Sequence, residues 1–174
     1  MSVIREIGEI MQLGYVPADF DATLEFWIKT MGAGPFYVMQ GRLAETSSHR
    51  GKDSNPDLTI ALGYWDDMQI EIVRQNDDTP SLYREWREAD GQGLHHICVL
   101  TDDMDRARTI MTAAGAEIIF EGSAIGAAWF YADTGGGPGT MVEVSRQSQQ
   151  SAALMAMIRD ASRAWDGSDP IRFL

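Results

Sequence analysis

The sequence feature that most constrains the fold of this chain is an internal duplication. Gln12 lies in an apolar run and is followed seven residues later by Asp19, and His96 is followed in the same way by Asp103. In both places a strand pattern gives way to an acidic residue that can cap a helix, because a short carboxylate accepts hydrogen bonds from free backbone N–H groups. A repeat on this scale predicts two copies of one folding unit.

The equivalence between the copies continues to their ends. Each predicted helix stops at a glycine, Gly32 in the first copy and Gly115 in the second, where the second copy is one residue shorter. Each copy then closes with a strand that carries a glutamate at the same place, Glu71 or Glu143. We therefore treat the chain as two related modules.

Both modules have the same predicted order of elements. The first has a helix over 19–31 and strands over 11–17, 35–39, 58–64 and 68–74. The second has a helix over 103–114 and strands over 93–100, 116–121, 127–132 and 141–145. The predicted fold class is α+β, with two βαβββ modules and an additional C-terminal helix over 149–165.

The predicted divisions of the chain follow from this repeat. Residues 1–90 form the N-terminal module with a linking helix over 77–89, residues 91–148 form the second module, and 149–174 form the C-terminal helix and a tail with an apolar end that we expect to dock on the body. Residues 40–56 lack periodicity and are expected to form a loop that could cover a site.

Composition excludes several classes of function. The 174-residue chain carries a net charge of −12, which disfavours nucleic acid and anionic membranes as partners because both would repel it. No apolar run approaches the ~18–20 residues of a membrane span. With Cys98 as its one cysteine the chain cannot form an internal disulfide, and a reducing, cytoplasmic location is expected.

Side-chain alternation in the repeated strands predicts where chemistry sits. One set of positions is aliphatic or aromatic and should pack under the helices: Leu13, Tyr15, Ile70, Ile72, Ile97, Val99, Val142 and Val144. The opposite set carries polar groups: Gln12, Glu71, His96 and Glu143. One helix per module covers one face of the sheet, so the other face must curve into a cleft or be covered by a partner subunit, and we expect a homodimer.

Polar groups placed in the middle of strands on a concave face are costly unless they find partners. One amide oxygen, one imidazole and two carboxylates form a mixed oxygen and nitrogen set that suits Zn²⁺, Ni²⁺, Co²⁺ or Mn²⁺. The duplication would place such an ion near the pseudo-twofold axis between the modules. Gln12, Glu71, His96 and Glu143 are therefore the predicted metal ligands.

Several of these motifs resemble a known family. The paired βαβββ units, the stretch Gly93-Leu94-His95-His96-Ile97 with Asp102-Asp103 behind it, and Met141-Val142-Glu143-Val144 resemble the glyoxalase/bleomycin-resistance/extradiol-dioxygenase group, the vicinal oxygen chelate superfamily. The resemblance covers about residues 10–147 and is greatest to methylmalonyl-CoA epimerase and glyoxalase-like proteins. It implies that His96 is a ligand and that Glu143 both binds metal and transfers protons.

The ligand set itself matches a second branch of that group. Gln12 and Glu71 stand where the epimerases have His and Gln, and the resulting set resembles that of human-type glyoxalase I, a zinc lyase. The glutathione-contacting residues of that enzyme fall at Val16, Gln75 and Gln92 and do not carry over.

The function implied is that of a metal-dependent isomerase, epimerase or lyase acting on a small carbonyl or thioester substrate. Proton transfer next to a carbonyl would pass through a metal-stabilised enediolate, with Glu143 or Glu71 as the base. The alternative is a metal-free small-molecule-binding protein of the bleomycin-resistance type. An extradiol-type dioxygenase is a weaker alternative, because Gln12 replaces the first of the two histidines that such a site uses.

Five further features are interpreted from their surroundings in the sequence. His95 is expected to face away from His96 as a satisfied imidazole beneath a helix, and His49 is expected to be solvated. Cys98 is expected to line the cavity as a neutral thiol. Residues 135–139 predict a glycine-rich turn. Trp129, Phe130 and Tyr131 could serve as a substrate wall or as core.

Overall fold

The computed structural model describes residues 3–174. Strands from both modules form one eleven-stranded sheet. The strands are β1 (Ile10–Tyr15), β2 (Phe36–Gly41), β3 (Thr46–His49), β4 (Lys52–Asp53), β5 (Leu58–Trp65), β6 (Met68–Gln75), β7 (Leu94–Leu100), β8 (Glu117–Ala124), β9 (Ala127–Asp133), β10 (Met141–Arg146) and β11 (Ile171–Phe173). The helices are α1 (Val3–Ile7), α2 (Phe20–Glu25), α3 (Leu82–Glu88), α4 (Met104–Ala113) and α5 (Gln149–Arg163).

The duplication and the α+β class are confirmed. The strand order β11-β2-β5-β6-β1-β7-β10-β9-β8-β3-β4 contains the two four-stranded modules side by side, joined where β1 pairs antiparallel with β7. Within each module the first strand pairs parallel with the last, β1 with β6 and β7 with β10. The four innermost strands are therefore the ones that carry the predicted polar set.

The aliphatic face packs under the helices as the alternation predicts. Ile70 and Ile72 lie against Phe20, Leu24 and Trp27 of the first helical segment. In the second module Val99, Val142 and Val144 form an equivalent core with Ala107 and Met111 of α4. Both modules thus bury their apolar faces on the convex side, and the polar positions are left for the concave side.

The one-residue difference between the modules has a local structural cause. Continuing from α2, residues Phe26–Thr30 form a π-helical turn in which the N–H of Met31 bonds the carbonyl of Phe26 at 3.2 Å. A π turn absorbs one extra residue within a helix. The first helix therefore reaches Gly32 with one residue more than α4 needs to reach Gly115.

The prediction of an unstructured loop over 40–56 is wrong in part. Residues Thr46–His49 form β3, which crosses to the second module and pairs antiparallel with β8. Backbone hydrogen bonds to β8 stabilise this short strand. They do not require alternating apolar and polar side chains, so the sequence has no pattern that predicts the strand. The neighbouring residues Leu43, Ala44, Asn55 and Pro56 do line the central cavity, as a covering segment should.

Two helices pack against the concave face. Leu82 and Tyr83 of α3 pack with Phe120 and Tyr131, and Ile158 of α5 packs with Leu62 among others. The linking helix begins later than predicted, at Leu82, because Ser81 is its N-cap and Pro80 precedes that cap. Helices of the same chain thus cover parts of the concave face, and the homodimer stays a prediction.

The tail docks through its backbone rather than through its apolar side chains. β11 adds a parallel strand beside β2, but Phe173 remains 73% exposed. The prediction of apolar docking is wrong for this residue, because strand pairing directs its side chain outward. Among the described residues, none of the helices has both the length and the apolarity that crossing a membrane requires.

Candidate metal centre

Three predicted ligands meet at the floor of the concave face. His96 Nε2 lies 3.1 Å from Glu71 Oε2 and 3.4 Å from Glu143 Oε2. One potential ligand atom from each of the three residues lies within 4.8 Å of the others. The residues come from β7, β6 and β10, so both modules contribute to a single cluster near the axis that relates them.

Gly14 makes room for this cluster. It pairs with His96 on one side and with Glu71 on the other, and a Cβ at position 14 would lie 2.1 Å from His96 Nε2. Any side chain at Gly14 would displace the imidazole. The sequence interpretation missed this residue, although a glycine inside a strand is a recognised sign of close approach.

The fourth predicted ligand, Gln12, lies on β1 two residues before Gly14. It pairs with Gln69 on β6 and with Cys98 on β7, and its Nε2 donates a hydrogen bond of 2.7 Å to Gln69 Oε1. That bond fixes the amide so that Gln12 Oε1 is the free end, and this oxygen is buried without a hydrogen-bond partner. Gln69 is thus a positioning residue that the sequence did not single out.

The donor set fits a divalent transition metal. Gln12 Oε1 is buried without a hydrogen-bond partner, and the buried atoms Glu71 Oε2 and His96 Nε2 face each other at 3.1 Å, with Glu143 Oε2 also close to the imidazole. Buried polar atoms are nearly always satisfied, so an unpartnered amide oxygen near two carboxylates that share one imidazole needs an explanation. A cation bound by carboxylate, imidazole and amide atoms supplies it.

The electrostatics of the cluster favour a positive charge at its centre. Burial lowers the pKa of His96, but Glu143 and Glu71 outweigh burial and raise that pKa to about 9. Burial raises the pKa of Glu71, an effect that the adjacent His96 opposes. In the absence of a metal, a proton on His96 therefore neutralises part of the paired carboxylate charge.

His95 differs from its predicted place. The pairing of Gly14 with His96 and of Tyr15 with Leu94 leaves His95 as the extra residue of a β-bulge. A bulge rotates the side chain out of regular alternation, and His95 Nδ1 consequently lies 3.0 Å from His96 Nδ1. The prediction that the two imidazoles face opposite ways is therefore wrong. His95 does lie beneath a helix, packed edge-on against Trp86 of α3.

The two histidines differ in protonation. Burial, with a smaller contribution from His96, lowers the pKa of His95 well below its usual range. A neutral His95 can accept a hydrogen bond from the Nδ1–H of His96, which leaves His96 Nε2 directed at the carboxylates. His95 therefore orients the His96 imidazole of the candidate centre, a role that its sequence neighbourhood did not indicate.

The cavity above the cluster has a volume of about 530 Å³. Cys98 lines it as predicted, and burial raises the pKa of its thiol well above the usual range. Trp129 and Tyr131 also line the cavity, whereas Phe130 packs into the core of the second module. Tyr131 holds its ring 5.1 Å from that of His96.

His49 is not solvated as predicted. It is 8% exposed and lies against Phe120, with its Nε2 3.3 Å from Glu85 Oε1. Its burial follows from the pairing of β3 with β8, which the sequence did not reveal. Residues 135–139 form an exposed turn, as predicted.

Fold and site together define a protein built of paired βαβββ modules around a candidate metal centre. The family model described as Glyoxalase/Bleomycin resistance protein/Dioxygenase superfamily matches residues 11–132. The chain belongs to this superfamily. The sequence matches none of the curated proteins with which it was compared.

Solved structures resemble the chain in fold. A variant of the Streptomyces coelicolor methylmalonyl-CoA epimerase, in complex with 2-nitronate-propionyl-CoA, is 19% identical with a TM-score of 0.58, covering 82% of this chain and 96% of that one. The epimerase from Mycobacterium tuberculosis is 15% identical with a TM-score of 0.56, covering 84% and 93%. A hypothetical protein from Bacillus halodurans is 16% identical with a TM-score of 0.56, covering 82% and 96%.

Proposed function

We propose that this chain is a metal-dependent enzyme that moves a proton at a carbon next to a carbonyl group, as an isomerase, epimerase or lyase. The observation that carries the proposal is the convergence of His96 with Glu71 and Glu143 at the floor of a cavity. An ion pair that only stabilised the fold would need one carboxylate beside His96. The second carboxylate is therefore available as a base. Relatives of similar fold include methylmalonyl-CoA epimerases, which is consistent with this class of reaction.

Each residue of the centre has a role that follows from its surroundings. His96 and Gln12 serve as metal ligands, because Gly14, His95 and Gln69 hold their side chains in place. Glu71 and Glu143 are the ionisable groups that line the cavity at its floor, so one of them takes the proton from the substrate and returns it. A raised pKa, as burial gives Glu71, brings a carboxyl group closer to the range in which a general base works at neutral pH.

Gln12, Glu71, His96 and Glu143 would hold a divalent ion, which would supply Lewis-acid stabilisation of negative charge on a substrate oxygen. The rest of the site surrounds the reacting carbon with largely apolar side chains. Tyr83 and Tyr131 close the cavity on the α3 side, with their hydroxyl oxygens 3.1 Å apart. Burial raises the pKa of both phenols well above the usual range, so they act as neutral walls.

The experiment that tests the proposal joins metal analysis to isotope exchange. Purified protein is stripped with a chelator, reloaded separately with Zn²⁺, Ni²⁺, Co²⁺ or Mn²⁺, and assayed for uptake of solvent deuterium into α-hydroxy carbonyl compounds and thioesters. We expect one metal per chain, and metal-dependent exchange that is lost in Glu143→Gln or Glu71→Gln. The exposed Glu9→Gln is the matched control and should retain both properties.

A metal-free binding protein is the second candidate. The largely apolar wall of the cavity favours it, because such a cavity can hold a ligand without any reaction. Failure to bind any of the four metals at neutral pH would favour this candidate over the enzyme.

A further inference from the structure

The cavity above the candidate metal centre has an unusual distribution of charge. The acidic side chains of Glu71 and Glu143 lie at its floor, and among the cavity-lining residues in the described part of the chain there is no lysine or arginine. The remaining wall is mainly aliphatic and aromatic, with scattered amides and hydroxyls. A ligand in this cavity therefore meets negative charge at one end and neutral surface elsewhere.

Two arginines beside or within the cavity-lining segment 43–56 are engaged in other contacts. Arg42 pairs with Asp77 at 2.9 Å, and Arg50 donates to both Glu85 and Glu117. A phosphate, sulfonate or second carboxylate inside the cavity would thus lose its water without gaining a cationic partner. An unpaired buried charge of that kind is strongly unfavourable.

Helix α5 adds apolar side chains to the cavity wall. Leu154 and Met155 line the cavity, while Ile158 on the same helix is fully buried against the sheet and fixes the position of α5. Met155 Sδ lies 3.0 Å from Gln69 Nε2, so α5 contacts the residue that positions Gln12. The helix is thus a wall of the site as well as part of the fold.

We infer that the substrate is an uncharged, mainly apolar molecule with two neighbouring oxygens, held between α5 and the sheet, rather than a phosphate-bearing thioester or another anionic conjugate. The two oxygens rest on the proposed function, since they are what a metal at the floor would bind. The neutral, apolar character rests on the cavity wall alone. The inference separates this chain from the epimerase of similar fold whose structure contains a CoA derivative.

A matched pair of fluorescent probes tests the character of the wall. N-phenyl-1-naphthylamine is neutral, and 8-anilinonaphthalene-1-sulfonate has the same aromatic framework with one added negative charge. We expect the protein to bind the neutral probe saturably at one site, with at least tenfold higher affinity than the sulfonate. Equal or tighter binding of the sulfonate, or no saturable binding of the neutral probe, would overturn the inference.

Substitutions on α5 locate the probe. Leu154→Trp fills the cavity and should reduce binding of the neutral probe at least tenfold, whereas Met157→Trp, on the exposed side of the same helix, should leave it unchanged. Ala127→Phe on another wall provides a second blocking variant if Leu154→Trp does not fold. If neither blocking variant changed the affinity for the neutral probe, the probe would lie outside the cavity and the inference would be contradicted.

Failure of this inference is distinguishable from failure of the proposed function. Probe binding requires neither metal nor turnover, so it reports on the wall even in chelator-treated protein. Metal binding and deuterium exchange report on the floor. A protein that exchanges protons but prefers the sulfonate probe keeps its proposed function and loses the inference.

Discussion

Gly14 and His96 face each other across the antiparallel pair of β1 and β7, and the imidazole occupies the space where a Cβ at position 14 would stand. The shortest distance from that Cβ to the ring would be 2.0 Å. The geometry of the candidate metal centre therefore depends on a residue that has no side chain. This relationship links the strand pairing directly to the position of the His96 Nε2.

Replacing Gly14 should disable the site more than the fold. In Gly14→Ala the imidazole must move, and overpacking of this kind costs about 1–3 kcal/mol. We expect lower thermal stability and at least a tenfold loss of metal affinity, measured by calorimetric titration of zinc. Unchanged metal affinity in a folded Gly14→Ala protein would contradict the assignment of His96 as a ligand.

The pKa of His96 predicts how metal binding varies with pH. With its pKa raised to about 9, His96 is protonated at pH 7 in the metal-free protein. Because a ligand imidazole must be neutral, binding at pH 7 should release about one proton, and metal affinity should rise with pH until about 9. Calorimetry in buffers of different ionisation enthalpy measures the released proton, and its absence at pH 7 would contradict the prediction.

The same shift has a consequence for stability without metal. A histidine whose pKa is higher in the folded state than its unfolded value of about 6.5 contributes stability that is complete below that value. The contribution is then lost as the pH rises through about 9. Urea unfolding of chelator-treated protein should show falling stability between these two pH values, and Glu71→Gln with Glu143→Gln should flatten this dependence.

Most of the centre could be predicted from the sequence because it follows from regular strands. Alternation alone places Glu71, His96 and Glu143 on one face, and the duplication places them near one axis. His95 could not be predicted, because a β-bulge breaks the alternation on which the argument depends. Gly14 was visible in the sequence as a glycine within a strand, and its meaning emerged only with the imidazole above it.

The enclosure of the site was less predictable than its floor. The spacing of apolar residues in α5 predicts its length and its apolar side, but it does not predict which surface the helix covers. The pairing of β3 with the other module rests on backbone hydrogen bonds, which leave no signal in the side chains. The burial of His49 depends on that pairing.

We predict that Asp77, in the turn before α3, stabilises the fold and that this stabilisation is lost in acid. Burial raises the pKa of Asp77, but hydrogen bonds from Thr79 and Gln75 outweigh it and lower that pKa to about 2. The carboxylate therefore stabilises the fold above its unfolded pKa of about 4, and this stabilisation is lost as the pH falls through about 2. Asp77→Asn should lower the free energy of unfolding by about 1 kcal/mol at pH 7, allowing for solvent screening. The difference from the unsubstituted protein should shrink at pH 2 to 3, and a constant difference would count against it.

The N-cap of α5 couples helix stability to closure of the cavity. Ser148 accepts a hydrogen bond from the Ser151 N–H and donates one to the Ile125 carbonyl at 2.7 Å. Losing an N-cap costs about 0.5–2 kcal/mol. We expect Ser148→Ala to lower the melting temperature and to speed the dissociation of N-phenyl-1-naphthylamine, measured by stopped-flow fluorescence. An unchanged dissociation rate would show that α5 does not gate the cavity.

The central claim is that His96, Glu71 and Glu143 hold one metal ion between the two modules. Anomalous diffraction from crystals of zinc-loaded protein tests it most directly. We predict one strong peak about 2.0–2.2 Å from His96 Nε2 and from an oxygen of each carboxylate, with Gln12 Oε1 as a fourth ligand. A peak elsewhere, or no peak in crystals that contain excess zinc, would contradict the claim.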